Sequence, residues 1–470
     1  MRALAHRMVD DMFTYLETVR ERPAWQPLPA EVRARLAEGV PAAPQGAQQA
    51  YRDFLENVLP YPSGNIHPRF WGWARGSGTV LGMLAEMLAA GMNPHAGGGQ
   101  HAAVYVERQV LDWCKALLGY PAEAGGILLS GTSMANLIGL AVARNTLTGD
   151  VRRRGVHALP RPLTVYGSRE MHSSVQKAVE LLGLGSDALR YIPVDAAYRV
   201  DVAALARAIA ADRAAGYQPL AIVGCAGTVN TGAFDDLEAL AELSRREGLW
   251  FHVDGAFGAM AALVPELREL TRGMERADSL AFDLHKWLYM PIEAGCVLVR
   301  DAGAHRRAFA LTPEYLAHSG ERGFAVDLTY FADRGLQLTR GFRALKIWLA
   351  LKADGADRYA RLVAQNVAQA RYLAARVDAT PGLERIAPVP LNIVCFRYAA
   401  PGLNAGALDA LNREIILQLQ ESGTAVVSST TLDGKYAMRV AITNHRSRRE
   451  DFDVLVEEIV RLGERLVREL

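Results

Sequence analysis

The chain lacks any apolar run approaching the ~18 residues that a membrane helix needs. Its opening residues, MRALAHRMVDDMFTYLE, interrupt any apolar stretch with early charges, so no signal peptide is expected there. An excess of one charge is also missing: 52 Lys plus Arg stand against 51 Asp plus Glu, a formal net charge of +1. That balance points to neither a nucleic-acid nor an anionic membrane partner. The short basic clusters Arg152 to Arg154 and Arg446, Arg448 and Arg449 read as solvated faces. Only four cysteines occur, Cys114, Cys225, Cys296 and Cys395, widely spaced and in apolar runs. With no CxxC or Cys/His zinc spacing, neither a disulfide framework nor a metal is expected, and buried thiols in a cytoplasmic, reducing setting fit best. Internal repeats and low-complexity segments are absent beyond Ala-rich helices. What remains is an ordinary globular composition, 50% hydrophobic and 22% charged over 470 residues, enough for two or three domains.

Residues 1–62 carry an amphipathic helix (Met8, Met12, Tyr15, Leu16), a Pro-rich connector from Pro23 to Pro44 and a short helix around Tyr51 to Leu59. This region is too interrupted for a core of its own and is expected to pack on something else, such as a partner subunit. Over 63–345 short β-rich runs alternate with helical ones: 126–131, 162–168, 189–195, 219–227, 249–257, 278–287 and 295–301, with helix patterns at 133–146, 171–183, 201–215 and 235–247. Continuous apolar strands alternating with helices predict an α/β domain whose mainly parallel sheet is covered on both faces. A long helix is expected from Ala344 to Arg376, with a break at Gly355. The remainder of 346–470 mixes the strands LNIVCFRY and YAMRVAIT with helices 404–422 and 449–470, the pattern of a smaller α+β domain.

Open α/β sheets place ligands at the carboxyl ends of their strands, and four such ends carry chemistry. Ser130-Gly131-Thr132-Ser133 feeds a helix N-terminus, which suits a phosphate. His172 opens the helix after the second strand. Asp254 ends the strand His252-Val253-Asp254, with Gly255 and Ala256 following. Lys286 follows a strand in Asp283-Leu284-His285-Lys286-Trp287. Each alone is a common cap or surface feature. Together, in this order along one sheet edge, they form the set that pyridoxal 5′-phosphate requires: a phosphate cradle, a flat ring, an anion for the pyridine nitrogen and an amine for the aldehyde.

The chain resembles the fold-type I, group II pyridoxal-phosphate-dependent amino-acid decarboxylases, which include aromatic-L-amino-acid, glutamate and histidine decarboxylases. The resemblance rests on DLHKWLYMP, HVDGAFGA, MHSSVQKAVELLG and SGTSMANLIGL, and it runs from about His67 to the last helix. It implies that Lys286 is the Schiff-base lysine, that Asp254 faces the ring nitrogen, that Ala256 lies under the ring and that His172 stacks above it. Thr132 and Ser133 would hold the phosphate. Thr228 and His285 match positions near the cofactor, and Arg439 resembles an arginine that binds the substrate α-carboxylate. The family fold implies a seven-stranded, mostly parallel sheet in the large domain, a C-terminal small domain, and a homodimer with the N-terminal arm wrapped on its partner.

The implied reaction removes the α-carboxylate of an L-amino acid as CO₂ and returns a proton to Cα. The family uses a loop tyrosine for that proton, and Tyr330 is the candidate within Ala325 to Phe331. Were Phe331 in that position, aldehyde-forming chemistry would be favoured. In the segment Phe70 to Gly76, Trp71 and Trp73 suit an aromatic side chain. Arg75 departs from the aromatic pattern and suits a second acidic group. The glycine-rich run Asn93 to His101 reads as a loop for close approach. An aromatic substrate is favoured over an acidic one. The alternatives are an aldehyde synthase or carbon–carbon lyase on the same scaffold, an aminotransferase, and a catalytically silent pyridoxal-phosphate-binding protein.

Overall fold

The computed structural model describes residues 1–311, 323–324 and 330–469. Seven strands form one sheet: β1 (Gly125–Leu129), β2 (Leu163–Ser168), β3 (Leu189–Ile192), β4 (Gln218–Cys225), β5 (Trp250–Asp254), β6 (Ser279–Asp283) and β7 (Gly295–Val299). Their order is β1-β7-β6-β5-β4-β2-β3. Only β7 is antiparallel to its neighbours, β1 and β6; the other pairs run parallel. Strands β1, β2, β5, β6 and β7 are buried along their whole length. Burial on both faces explains why their sequences are unbroken apolar runs rather than alternating ones.

Each β-rich run overlaps one of these strands, starting one residue late at β1 and β4 and overshooting most of the carboxyl ends. The run 278–287 stops being strand at Asp283 and turns into the short helix Leu284–Trp287. The turn follows from Leu284 N–H and His285 N–H both donating to the Ala294 carbonyl. The long helix splits into Ala344–Asp354 and Ala356–Ala379, with Gly355 between them at φ 70°. Two helices that periodicity did not reveal are Val80–Met92 and Ala102–Leu117. The first is apolar nearly all round, so it offers no polar stripe to define a period.

The chain divides into two compact units. One comprises residues 78–367 and 389–391 and holds the seven-stranded sheet. The other joins residues 1–77 to 368–388 and 392–470. Its antiparallel sheet has the order β10-β11-β9-β8, with β8 (Leu383–Arg385), β9 (Ile393–Tyr398), β10 (Ser428–Leu432) and β11 (Lys435–Ala441). Within this unit the N-terminal segment is tied down by an Arg20–Asp451 ion pair of 2.7 Å and by Ala24 N–H donating to Gly423 O. Among the described residues no helix is long and apolar enough to cross a membrane.

Two histidines of the first unit are fully buried, and burial pushes His252 down to about 4 and His305 down to about 3. An unfolded histidine takes its proton near pH 6.5, whereas these two remain neutral in the folded protein until the pH is much lower. Their stabilising contribution is therefore complete above about pH 6.5 and is lost as the pH falls toward 4. Unfolding free energy should drop by roughly 2 kcal/mol for each of the two between pH 7.5 and pH 5. Urea unfolding across that range checks this, with a shallower slope expected for His305→Gln. Equal slopes in the two proteins would contradict it.

Candidate active site

Strand β1 ends at Leu129, and Ser130 and Gly131 carry the chain into the helix Thr132–Leu147. Gly295, the first residue of β7, lies flush against this turn: a Cβ there would sit 2.4 Å from the Gly131 Cα, so only glycine permits the approach. The helix therefore presents its first turn, with the positive dipole end, at the carboxyl edge of the sheet. Thr132 is buried there, and its hydroxyl meets no hydrogen-bond partner among the described residues. Its N–H donates to Asp283 Oδ1 at 2.7 Å.

Asp283, at the end of β6, is 2% exposed, and its Oδ2 lies 2.8 Å from Lys286 Nζ. Lys286 is thus an ion-paired amine rather than simply a desolvated one. The residue after it explains its fixed direction. The Trp287 ring is fully buried, and both its indole N–H and the Tyr289 hydroxyl donate to Asn366 Oδ1, at 3.0 and 2.7 Å. His285 packs beside the pair, with Nδ1 3.0 Å from Ala294 O, and burial lowers its pKa.

Asp254 closes β5. Its Oδ1 accepts the Ala256 N–H at 3.1 Å, and its Oδ2 accepts from Asn136 Nδ2 at 2.9 Å. His172 Nδ1 accepts the Ser174 N–H at 3.1 Å and lies 2.8 Å from Ser174 Oγ. Burial lowers the His172 pKa; Asp254 opposes that shift and Lys286 reinforces it. Thr132, Ser133, His172, Asp254, Ala256, His285 and Lys286 all line one cavity of about 330 Å³, together with Asp283. A cavity of that size lies in the range of small-molecule sites.

The other residues singled out from the sequence lie elsewhere. Thr228, in the same unit, is buried, and its hydroxyl is engaged with Thr231 Oγ1 and the Ala233 N–H. Ala325 to Thr329 lie outside the described residues. The Tyr330 ring packs against Gly98, where a Cβ would come within 2.5 Å of it. Phe331 is fully buried, with the Arg340 guanidinium 5.4 Å from its ring centroid. In the second unit Trp71 is buried, stacks on Phe452 and donates its indole N–H to Ser447 Oγ. Trp73 is exposed, and the Arg75 guanidinium lies over its ring at 5.1 Å. Arg439 is buried, its Nη1 donates to Ser428 Oγ, and burial pushes it down to about 10. Sequence reasoning missed Asp283, Asn136 and Ser174. Asp283 had a signal, a carboxylate three residues before the lysine. Asn136 lies one turn into the first helix and carried none.

Residues 29–399 match the family model described as the pyridoxal-dependent decarboxylase conserved domain. An aromatic-L-amino-acid decarboxylase of Bacillus atrophaeus is 31% identical over 99% of this chain and 95% of its own length. A phenylacetaldehyde synthase of Arabidopsis thaliana is 29% identical over 97% of this chain and 95% of its own. Among solved structures, Oryza sativa TDC with PLP and tryptamine superposes with a TM-score of 0.90 at 26% identity, covering 99% of this chain and 98% of that one.

The Gly131–Gly295 contact has a measurable consequence. Gly295→Ala forces backbone apart at the turn and should destabilise the protein by about 1–3 kcal/mol, while weakening binding of a phosphate-bearing ligand. Thermal unfolding and ligand titration check this, and unchanged values for both would show that the close approach is not needed.

Proposed function

Since this chain belongs to the pyridoxal-dependent decarboxylase family, we propose that the cavity at the carboxyl edge of its seven-stranded sheet is the site where an aromatic L-amino acid is decarboxylated to its amine. The chain is a pyridoxal-phosphate-dependent carboxy-lyase of fold type I. The observation that carries the site assignment is the convergence of Lys286, Asp254, His172 and the Thr132 turn on one cavity.

The residues present fit the cofactor. A buried threonine hydroxyl without a protein partner sits at a helix N-terminus, which suits a phosphate oxygen. A carboxylate held by two donors faces the same space, which suits a protonated ring nitrogen. When bound, pyridoxal phosphate supplies an electron sink for the bond being broken.

The protein's part is binding, orientation and proton handling. Thr132 and Ser133 hold the phosphate, and Lys286 supplies the amine that anchors the aldehyde carbon. Asp283 keeps that amine paired and aimed into the cavity. Asp254 holds a proton at the ring nitrogen. His172, kept neutral by burial, offers a flat uncharged face to the ring, and Ala256 leaves the opposite side without bulk. The Tyr330 hydroxyl delivers a proton to the Cα that has lost CO₂. Tyr330 is half-buried whereas Phe331 is wholly buried, which supports the tyrosine as the donor.

An aromatic substrate is supported by the names of the relatives, which include an aromatic-L-amino-acid decarboxylase and tyrosine and tryptophan decarboxylases. A homodimer is supported by the apolar side chains Met87, Leu88, Met92 and Ile292, all exposed on the first unit. The four cysteines are buried free thiols, which supports a reducing compartment such as the cytoplasm.

Lys286→Ala should abolish turnover and the borohydride-reducible cofactor linkage; retention of either removes the lysine from its role. Tyr330→Phe should shift the product from amine toward aldehyde, scored by chromatography of both products. Undiminished amine formation would clear Tyr330.

A further inference from the structure

Beneath Asp254 lies a chain of fully buried polar side chains that the reaction described above does not use. The Trp250 indole N–H donates to Ser279 Oγ at 2.8 Å, and Ser279 Oγ lies 2.7 Å from His252 Nδ1. His252 Nε2 lies 2.9 Å from Asn136 Oδ1, and Asn136 Nδ2 donates to Asp254 Oδ2 at 2.9 Å and to Ser174 Oγ at 3.0 Å. Asn136, His252 and Ser279 have no exposed surface.

The two ends of this chain dictate every hydrogen in it. An indole N–H only donates, and an ionised carboxylate only accepts. Asn136 must therefore turn its amide nitrogen to Asp254 and its oxygen to His252. His252 then carries its proton on Nε2, Nδ1 accepts from the Ser279 hydroxyl, and Ser279 accepts from Trp250. Every donor points toward Asp254, and such a chain polarises cooperatively. The side branch is fixed as well. A backbone N–H can only donate, so His172 Nδ1 is an acceptor and its proton sits on Nε2, while Ser174 Oγ receives the second Asn136 hydrogen. Burial, which keeps His252 neutral, holds this tautomer over the physiological range. The sequence also makes room for the relay: a Cβ on Gly139, one turn beyond Asn136, would lie 2.8 Å from the His252 ring. A glycine inside a helix costs about 1 kcal/mol relative to alanine, and the imidazole occupies the space it leaves.

We propose that Asn136 is a positioning residue that, fed by Trp250, Ser279 and His252, holds the Asp254 carboxylate oriented toward the ring nitrogen. The proposal rests on the assignment of Asp254 to the ring nitrogen of pyridoxal phosphate. It predicts that Asn136 matters only to a ligand possessing that nitrogen.

The test measures dissociation constants of pyridoxal phosphate and of its analogue with carbon in place of the ring nitrogen, on full-length protein freed of cofactor. Asn136→Leu should weaken pyridoxal phosphate by about tenfold or more, the scale of a lost hydrogen bond to a charged group, and change the carbon analogue by less than about twofold. Ser279→Ala leaves Asn136 in place and should weaken pyridoxal phosphate about threefold, again with little effect on the analogue; it carries the test if Asn136→Leu does not fold. Equal loss for both ligands, or no loss for either, overturns the relay. Wild-type protein that binds neither ligand overturns the cofactor assignment and the relay with it, an outcome distinct from wild-type binding with parallel losses in the variants.

Discussion

A carboxylate taken out of water is destabilised by several kcal/mol unless donors or an opposite charge meet it. Asp254 is 5% exposed and yet ends a strand in the middle of the sheet. Its two oxygens are met by the Ala256 N–H on one side and the Asn136 amide on the other. The cavity's other groups are arranged around that anion. His172 feels its charge, and the helix that begins at Thr132 supplies Asn136 one turn later. One helix thus carries both the Thr132 turn and the amide that holds Asp254.

The lysine side is built on the same logic with the signs reversed. Lys286 needs a partner to sit at a half-buried strand end, and Asp283 supplies it while capping the helix at Thr132. A single carboxylate therefore ties β6 to the turn at Thr132. Trp287 and Tyr289, both gripping Asn366, stop the lysine's backbone from drifting. These contacts fix the direction of the Lys286 amine within the protein itself.

Much of this was legible in the sequence, and for identifiable reasons. Strands covered on both faces show as continuous apolar runs, so each strand of the large sheet overlaps a β-rich segment, and Asp254 at the end of one and Lys286 just beyond another stand out as polar exceptions. The helix Val80–Met92 hid because it has no polar face, and β10, Ser-Ser-Thr-Thr-Leu, because it has almost no apolar alternation. Asn136 and Ser279 were invisible for a different reason. Their importance lies in partners more than a hundred and about thirty residues away, which only the fold brings together. Asp283 was in view but read only as part of the lysine motif, since nothing local says that it reaches Thr132.

The central claim is that Asp254 keeps the ring nitrogen of the bound cofactor protonated. ¹⁵N NMR of protein loaded with pyridoxal phosphate labelled at that nitrogen tests it most directly. The account predicts a chemical shift in the pyridinium range for the wild type and movement to the unprotonated pyridine range in Asp254→Ala. An unprotonated nitrogen in the wild type, or a shift indifferent to the loss of Asp254, would contradict it.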